Sequence, residues 1–474
     1  MPNFSPTVEH AGEDIAKALV RDEPAFLSAL DFGPCVRQGT GDGPSLLIGD
    51  SSEIALLSAD NGSRLEHRMA LLARRGDHVL LRRRDPDFED YLSTSLGLAN
   101  VTFHEGDPRS HVPLTKQAWT SQAWVDTFAA LADQAKGLTI KSYITTGHIW
   151  RLAQRIGERC GRVIHVCGPS PQITRRANDK LWFAQVARRV LGENATPPTL
   201  SAYGPAATAG LVQRIGKTAD HVIVKVPDSA GSAGNLRLDS TVVRGMPLAD
   251  LRTFLLERLY ALGWHDRYPV LVGVWDEGVE SSPSVQLWLP HAAAGPPQVE
   301  GVFEQHVQTG AATFVGASQS TLGRGLQNRL RLDARRLAAV FQQLGYYGRC
   351  SLDAVICRSP RAAPTIHWIE CNARWGGVSI PMTVARQLGD SRTRRAISIA
   401  QEVMPDRHMT TRDQLLLLQD LLLRVDRQTT GIVILSPPDS SRGLAANLFA
   451  IAETQRAAAD LLRDAMHRLI RAAE

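Results

Sequence analysis

Six cysteines are spread through this 474-residue chain, and no two of them stand at the C-x-x-C spacing. Cys35, Cys160, Cys167, Cys350, Cys357 and Cys371 therefore read as reduced thiols, which places the expectation in the cytoplasm. No uncharged apolar run approaches the ~18–20 residues of a membrane span. The first thirty residues lack a basic segment followed by an apolar one, so no leader is expected. The dinucleotide fingerprint G-x-G-x-x-G and the P-loop G-x-x-x-x-G-K-[ST] are both missing. The densest basic run, Arg74, Arg75, Arg82, Arg83 and Arg84, has no aromatics interleaved and no nucleic-acid motif beside it. It reads as a solvated face, and no nucleic-acid partner is expected. Internal repeats and low-complexity tracts are absent as well.

What is present is ordinary globular composition, 43% hydrophobic and 21% charged, long enough for two to four domains. A formal charge of +5 and a pI near 9.0 suit a surface that attracts anionic substrates. After a loose start with a short helix near residues 13–20 and a flexible G-T-G-D-G-P at 39–44, strands are expected at 45–49, 78–81, 101–103 and 163–167. Helices at 64–74, 87–96 and 148–160 separate them, and this β-α alternation predicts a parallel, Rossmann-like sheet. The turn after the first strand is G-D-S-S-E, which argues against NAD or FAD. The C-G-P-S-P-Q run at 167–172 marks the end of this domain.

The richest stretch is T-I-H-W-I-E-C-N-A-R-W-G-G-V-S-I-P at 365–381. Thr365, Ile366, Trp368 and Ile369 predict a strand buried on both faces. Its two-residue period puts Glu370, Asn372 and Arg374 on one face and turns Cys371 away. Two oxygen ligands followed by a guanidinium suit Mg²⁺ and phosphate. Alone, the run is equally a strand end with a solvated ion pair. Upstream, Asp353 lies in another apolar strand, where an aspartate is costly unless paired or metal-bound. The two strands predict a hairpin with Asp353 beside Glu370 and Asn372.

Further back, a helix over 178–191, capped by Asn178, carries Lys180 in its first turn, where a cation opposes the helix dipole unless an anion is bound. A β-branched strand at 221–226 carries Lys225. The P-D-S-A-G-S-A-G-N run at 227–235 follows, either a plain hairpin or a flap whose Gly231, Ser232, Gly234 and Asn235 cover phosphates. A helix over 247–262, a buried strand at 270–275 with 285–289 pairing back to it, loops through 305–323 and a helix over 330–344 complete the middle. The tail reads as a basic linker within 387–412, a helix at 415–425, a strand at 431–435 and a long amphipathic helix over 448–471.

In order and spacing, Lys180, Lys225, the small-residue flap and the set Asp353, Glu370, Asn372 resemble the ATP-grasp superfamily over about residues 178–381. The G-P-S-L-L-I-G-D strand resembles the Rossmann-like pre-ATP-grasp domain. S-S-P-S-V-Q-L, E-Q at 304–305, E-C-N-A-R-W-G-G and the G-I-V-I-L-S tail resemble the peptide ligases of the pheganomycin type. That resemblance implies three parts: a pre-ATP-grasp domain over 1–172, an ATP-grasp domain over 173–390 with its lid at 178–268 and its metal-bearing core at 269–390, and a C-terminal α/β domain over 391–474. It implies ATP and two Mg²⁺ as cofactors, the ions held by Asp353, Glu370 and Asn372. Lys180 and Lys225 would hold phosphates, and Arg374 with Lys225 would serve the reacting groups. The hinge around Trp275 and Glu277 would read the adenine, with Glu277, Glu280 or Gln286 on the ribose. One departure is Gly273, standing where many relatives carry a glutamate. The implied reaction is ATP-dependent ligation of a carboxylate, activated as an acyl phosphate, to the amine of an amino acid or peptide. A γ-glutamyl amino-acid ligase, a small-molecule kinase and a non-catalytic nucleotide-binding protein are the rivals. Oligomeric state stays open, a homodimer included.

Overall fold

The computed structural model describes the chain except residues 1–5, 24–29, 55–64, 228, 230–233, 309–313, 359–362, 389–394, 405–408, 439–443 and 472–474. Three sheets organise it. The first is all parallel and six-stranded, in the order Val36–Gln38, Ile164–Val166, Leu138–Ser142, Ser45–Ile48, His78–Leu81 and Thr102–Glu105. Its central strands are buried on both faces, and helices such as Gly147–Cys160 cover it. Two of its strands, Val36–Gln38 and Leu138–Ser142, lie outside the sequence-based expectation; L-T-I-K-S is short and carries a lysine. The helix expected at 64–74 is a 3-10 helix, Leu65–Leu72.

The second sheet is antiparallel, in the order Thr199–Ala202, Val270–Val274, His221–Lys225 and Asn235–Asp239. The Val270–Val274 strand pairs within it, so a lid ending at 268 would cut this sheet; the chain leaves it only after Val274. Pro283–Leu289 does not pair back onto that strand. It lies in the third sheet, between Gln298–Val307 and Gly348–Cys357.

That third sheet has nine strands. Strands Gln298–Val307 and Phe314–Gln319 replace the loops expected there. It continues through Ala396–Met404, Leu444–Ala452 and Gly431–Ile434, so the tail extends the core sheet instead of forming a separate one. The helix expected over 448–471 begins as strand: Leu448 and Ile451 are buried in Leu444–Ala452, and the helix itself is Gln455–Arg471. An unbroken apolar run fits either period, and here the strand wins, paired on both sides. The parts are also tied by polar groups. Arg68, enclosed in the first domain, donates to Gln401 Oε1 and Asn447 Oδ1 of the tail strands.

Candidate active site

The strand Gly348–Cys357 alternates strictly. Cys350, Leu352, Ala354 and Ile356 enter the core beneath the long helix Arg324–Gln343, while Ser351, Asp353, Val355 and Cys357 face the opposite side. Thr365–Asn372 pairs antiparallel with it, placing Asp353 opposite Glu370 and Ser351 opposite Asn372. The register shifts between Asp353 and Ala354, so the ladder carries a bulge at Ile369. This corrects the expectation of a strand buried on both faces: Ile366, Trp368 and Cys371 face the core, whereas Ile369 and Glu370 line an open cleft of about 540 Å³.

Lys180, Lys225, Asn235, Trp275, Glu277 and Asp353 line the same cleft, which runs between the second and third sheets. Asn178 is not the helix cap. Asp179 takes that place, accepting from the N–H of Leu181 at 2.8 Å and Trp182 at 3.2 Å. Asn178 closes the preceding helix, and its Oδ1 accepts from the Ala373 N–H at 3.0 Å and from Arg374 Nη1. Lys180 Nζ lies 3.1 Å from Glu370 Oε2 and donates to the Ser229 carbonyl at 2.5 Å. Lys225 is set beside Asn235 across the ladder. Asn235 Oδ1 is buried and has no partner among the described residues. Gly234 closes tightly on the same turn, where a Cβ would sit 2.4 Å from Ser229 Oγ. Gly231 and Ser232 lie outside the described residues.

The electrostatics follow from burial. Asp353 is pushed up to about 7 by burial and by the Glu370 charge, against donation from Ser284 at 2.6 Å and from Gln305. Burial would raise Glu370 as well, but Lys180, Arg374 and Lys225 outweigh it and hold that carboxyl below its usual range. Burial, then the Lys180 charge, lowers Lys225. Asn372 Nδ2 donates to Asp353 Oδ2 at 2.8 Å, and its Oδ1 accepts from Arg374 Nη2. Two carboxylates thus converge on one spot, with the Asn372 Nδ2–H₂ set between them, its Oδ1 turned to Arg374, and Lys180 resting on Glu370. The two facing carboxylates are hard oxygen donors and carry a charge repulsion that a divalent cation would relieve, so they fit Mg²⁺, and Asn372 would add its oxygen once its amide turned over.

Gln286 corrects a second expectation. It is 1% exposed, does not line the cleft, and gives its Nε2–H to Ser284 Oγ at 2.8 Å. Two residues along the strand from Ser284, it stands opposite Ser351 and outside the cleft lining. At the other end, Arg237 lies over the Trp275 ring at 5.2 Å and Glu277 Oε1 is 2.5 Å from His221 Nδ1. Gly273 leaves no room for a glutamate: a Cβ would meet Thr199 Oγ1 at 2.7 Å and Pro198 O at 2.9 Å. Asp276, Cys357 and His367 gather nearby within 4.8 Å, with Asp276 and His367 3.0 Å apart. Sequence reasoning misses Ser229, Ser284 and the role of Asn178; each acts on a residue far away in the chain, and no local pattern announces it.

Residues 66–158 match the family model of the Pre ATP-grasp domain. No curated protein matches the sequence. Among solved structures, the chain is similar to N5-carboxyaminoimidazole ribonucleotide synthetase in its ADP complex, at 10% identity and TM-score 0.56, covering 92% of this chain and 100% of that one. The N5-carboxyaminoimidazole ribonucleotide synthetase from Thermus thermophilus gives 12% identity and 0.53 over 90% and 98%. Biotin carboxylase from Campylobacter jejuni, a β,γ-ATP complex, gives 14% and 0.52 over 90% and 91%. The fold is the ATP-grasp architecture behind a Rossmann-like pre-ATP-grasp domain.

Proposed function

We propose that the protein is an ATP-dependent, ADP-forming carboxylate–amine ligase. The observation that carries this is the pairing of Asp353 with Glu370 across one ladder, with Lys180 on the Glu370 oxygen, at the floor of a cleft between two sheets. Asp353, Glu370 and Asn372 would hold Mg²⁺. Bound there, the cation would neutralise charge on the transferring phosphoryl group.

The chain's own residues do the rest. Lys180, buried, and Lys225, half-buried, both line the cleft and would give donors to phosphate oxygens. An incoming phosphate would compete with Glu370 and the Ser229 carbonyl for Lys180, so nucleotide and Mg²⁺ are expected to arrive together. Asn178 clamps Arg374 from the side opposite Asn372, which fixes the guanidinium for a bidentate grip on the acid or phosphate. Trp275 offers a face to the base. Its N–H is already given to the His221 carbonyl at 3.2 Å, so polar reading of the adenine falls to the backbone beyond it. A lid carrying Ser229 and Gly234 would exclude the water that hydrolyses an acyl phosphate.

The finer reading is a peptide ligase of the pheganomycin type, joining an unusual amino or guanidino acid to an amino acid or peptide in natural-product assembly. It is supported by the E-C-N-A-R-W-G-G and S-S-P-S-V-Q-L phrases. The test is ¹⁸O transfer: label in the substrate carboxylate is expected in inorganic phosphate, with ADP and an amide as co-products. Label in AMP, or none in phosphate, would overturn the mechanism.

A further inference from the structure

A second group of ligand-bearing side chains lies at the far end of the two strands that carry Asp353 and Glu370. Asp276, Cys357 and His367 bring a carboxylate oxygen, a thiol sulfur and an imidazole nitrogen within 4.8 Å of one another. His367 Nδ1 stands 3.0 Å from both Asp276 oxygens, and the two side chains are only 15% and 14% exposed. Cys357 is half-buried, and its thiol is free of any disulfide.

Three elements build the group. Cys357 closes the strand Gly348–Cys357, and its ladder partner is Thr365. His367, two residues further on, is therefore its diagonal neighbour on the same face. Such neighbours stand about 7–8 Å apart at the backbone, a gap that a thiol and an imidazole can span from either side. Asp276 reaches in from the turn by which the chain leaves the second sheet after Val274. That turn is fastened to the end of the same strand: Val279 pairs with Cys357, and the Arg358 N–H donates to the Gly278 carbonyl at 3.4 Å.

An ion pair between Asp276 and His367 explains two of the three groups and leaves the thiol out. Burial and the Asp276 charge push that thiol up to about 11, so it is no reactive nucleophile. The three donors also differ in kind from those at Asp353 and Glu370. Thiolate and imidazole select Zn²⁺ and its neighbours, whereas Mg²⁺ takes oxygen. One sulfur, one nitrogen and one oxygen leave a single position of a tetrahedron open. Four residues of strand separate Asp353 from Cys357, about 13 Å, so one ion cannot serve both places.

We propose that Asp276, Cys357 and His367 form a site for a divalent transition ion of the Zn²⁺ class, which clamps the hinge to the ends of the two core strands. Binding forms one bond each to oxygen, sulfur and nitrogen. The thiol proton leaves to solvent, the imidazole keeps its one proton on Nε2, and no electron is transferred. Trp275, Asp276 and Glu277 all line the cleft, so the clamp fixes the segment at that end of it. The inference does not depend on the ligase reading.

The test uses the full chain with Co²⁺ as the probe, because Co²⁺ replaces Zn²⁺ in such sites and is coloured. One equivalent is expected to give a sulfur-to-cobalt charge-transfer band and visible bands of tetrahedral strength. An equivalent of Zn²⁺ should bleach them, and an excess of about 100-fold Mg²⁺ should not. Cys357→Ser and, separately, His367→Gln are expected to weaken Zn²⁺ binding at least about 100-fold, since a direct ligand outweighs an outer hydrogen-bond partner. Cys160→Ser, in the parallel-sheet domain, should change nothing. The spectrum of the parent protein is decisive by itself, so a variant that fails to fold does not remove the test. No charge-transfer band, a band that persists in Cys357→Ser, displacement by Mg²⁺, or only weak uptake of several ions per chain would overturn the site. Hydrogen exchange reads the clamp: amides at 275–279 are expected to slow about tenfold when Zn²⁺ is bound. Unchanged exchange with the site filled would overturn the clamp.

Discussion

Lys180 and Glu370, 190 positions apart in sequence, meet at 3.1 Å with the lysine only 6% exposed. A buried ion pair of this kind repays its desolvation only when it is fully hydrogen-bonded, and the lysine's further bond goes to the Ser229 carbonyl on the lid. One ammonium therefore links the Thr365–Asn372 strand to the turn that carries Ser229.

Glu370→Gln removes the charge that binds Lys180 and completes the cation site. Turnover at saturating Mg²⁺ is expected to fall at least about 100-fold, with the circular-dichroism spectrum unchanged. A kcat near that of the parent would show that the carboxylate is not needed for the chemistry.

Gly234→Ala acts at a distance. The added Cβ would lie 2.4 Å from Ser229 Oγ and 2.9 Å from the Val226 side chain, so the turn that holds Lys180 must shift. KM for ATP is expected to rise about tenfold, equivalent to ~1.4 kcal/mol, with a smaller change in kcat. Steady-state kinetics separates the two constants.

Asn178→Ala frees the Arg374 guanidinium and leaves the Ala373 N–H without its side-chain acceptor. A kcat about 10- to 100-fold lower is expected, as for a misplaced positioning group. Asn178→Asp keeps both acceptor bonds and should recover most of the rate; no recovery would count against the positioning role.

Glu66 supplies a pH signature remote from the cleft. Burial, then the Asp50 charge, pushes its carboxyl up to about 8 despite Arg82. The unfolded chain loses this proton near 4.5 while the folded protein keeps it, so the folded state binds more protons in between. Stability from this group is thus full below about 4.5 and declines until about pH 8, by a few kcal/mol in all. Glu66→Gln should flatten that decline. Thermal melts across about pH 4.5 to 8.5 check it; identical slopes for the two proteins would refute the shift.

The placement of the candidate site residues is legible in the sequence because its logic is local. Alternation alone puts Asp353 on one face of its strand, and Glu370 and Asn372 on one face of theirs. The bulge at Ile369 is not legible, since it arises in the pairing of two strands. Gln298–Val307 carries E-Q-H and Phe314–Gln319 carries G-A-S-Q, polar patterns that look like loop until a partner strand supplies the hydrogen bonds. Gln286 escapes for the same reason: its depth between two neighbouring strands is a property of the sheet. The role of Asn178 is hidden because its partners lie at 373 and 374.

The tail strands set a timetable for synthesis. Phe314–Gln319 finds its outer partner only in Ala396–Met404, which is itself covered by Leu444–Ala452. At ~5–20 residues per second, the roughly 85 residues from Gln319 to Met404 take about 4–17 s to translate. For that time the growing chain carries Phe314–Gln319 as an uncapped sheet edge, the kind of edge that recruits a neighbouring chain. The order of synthesis thus leaves that edge open until the last strands arrive, and a slow codon run between those two strands would lengthen its exposure.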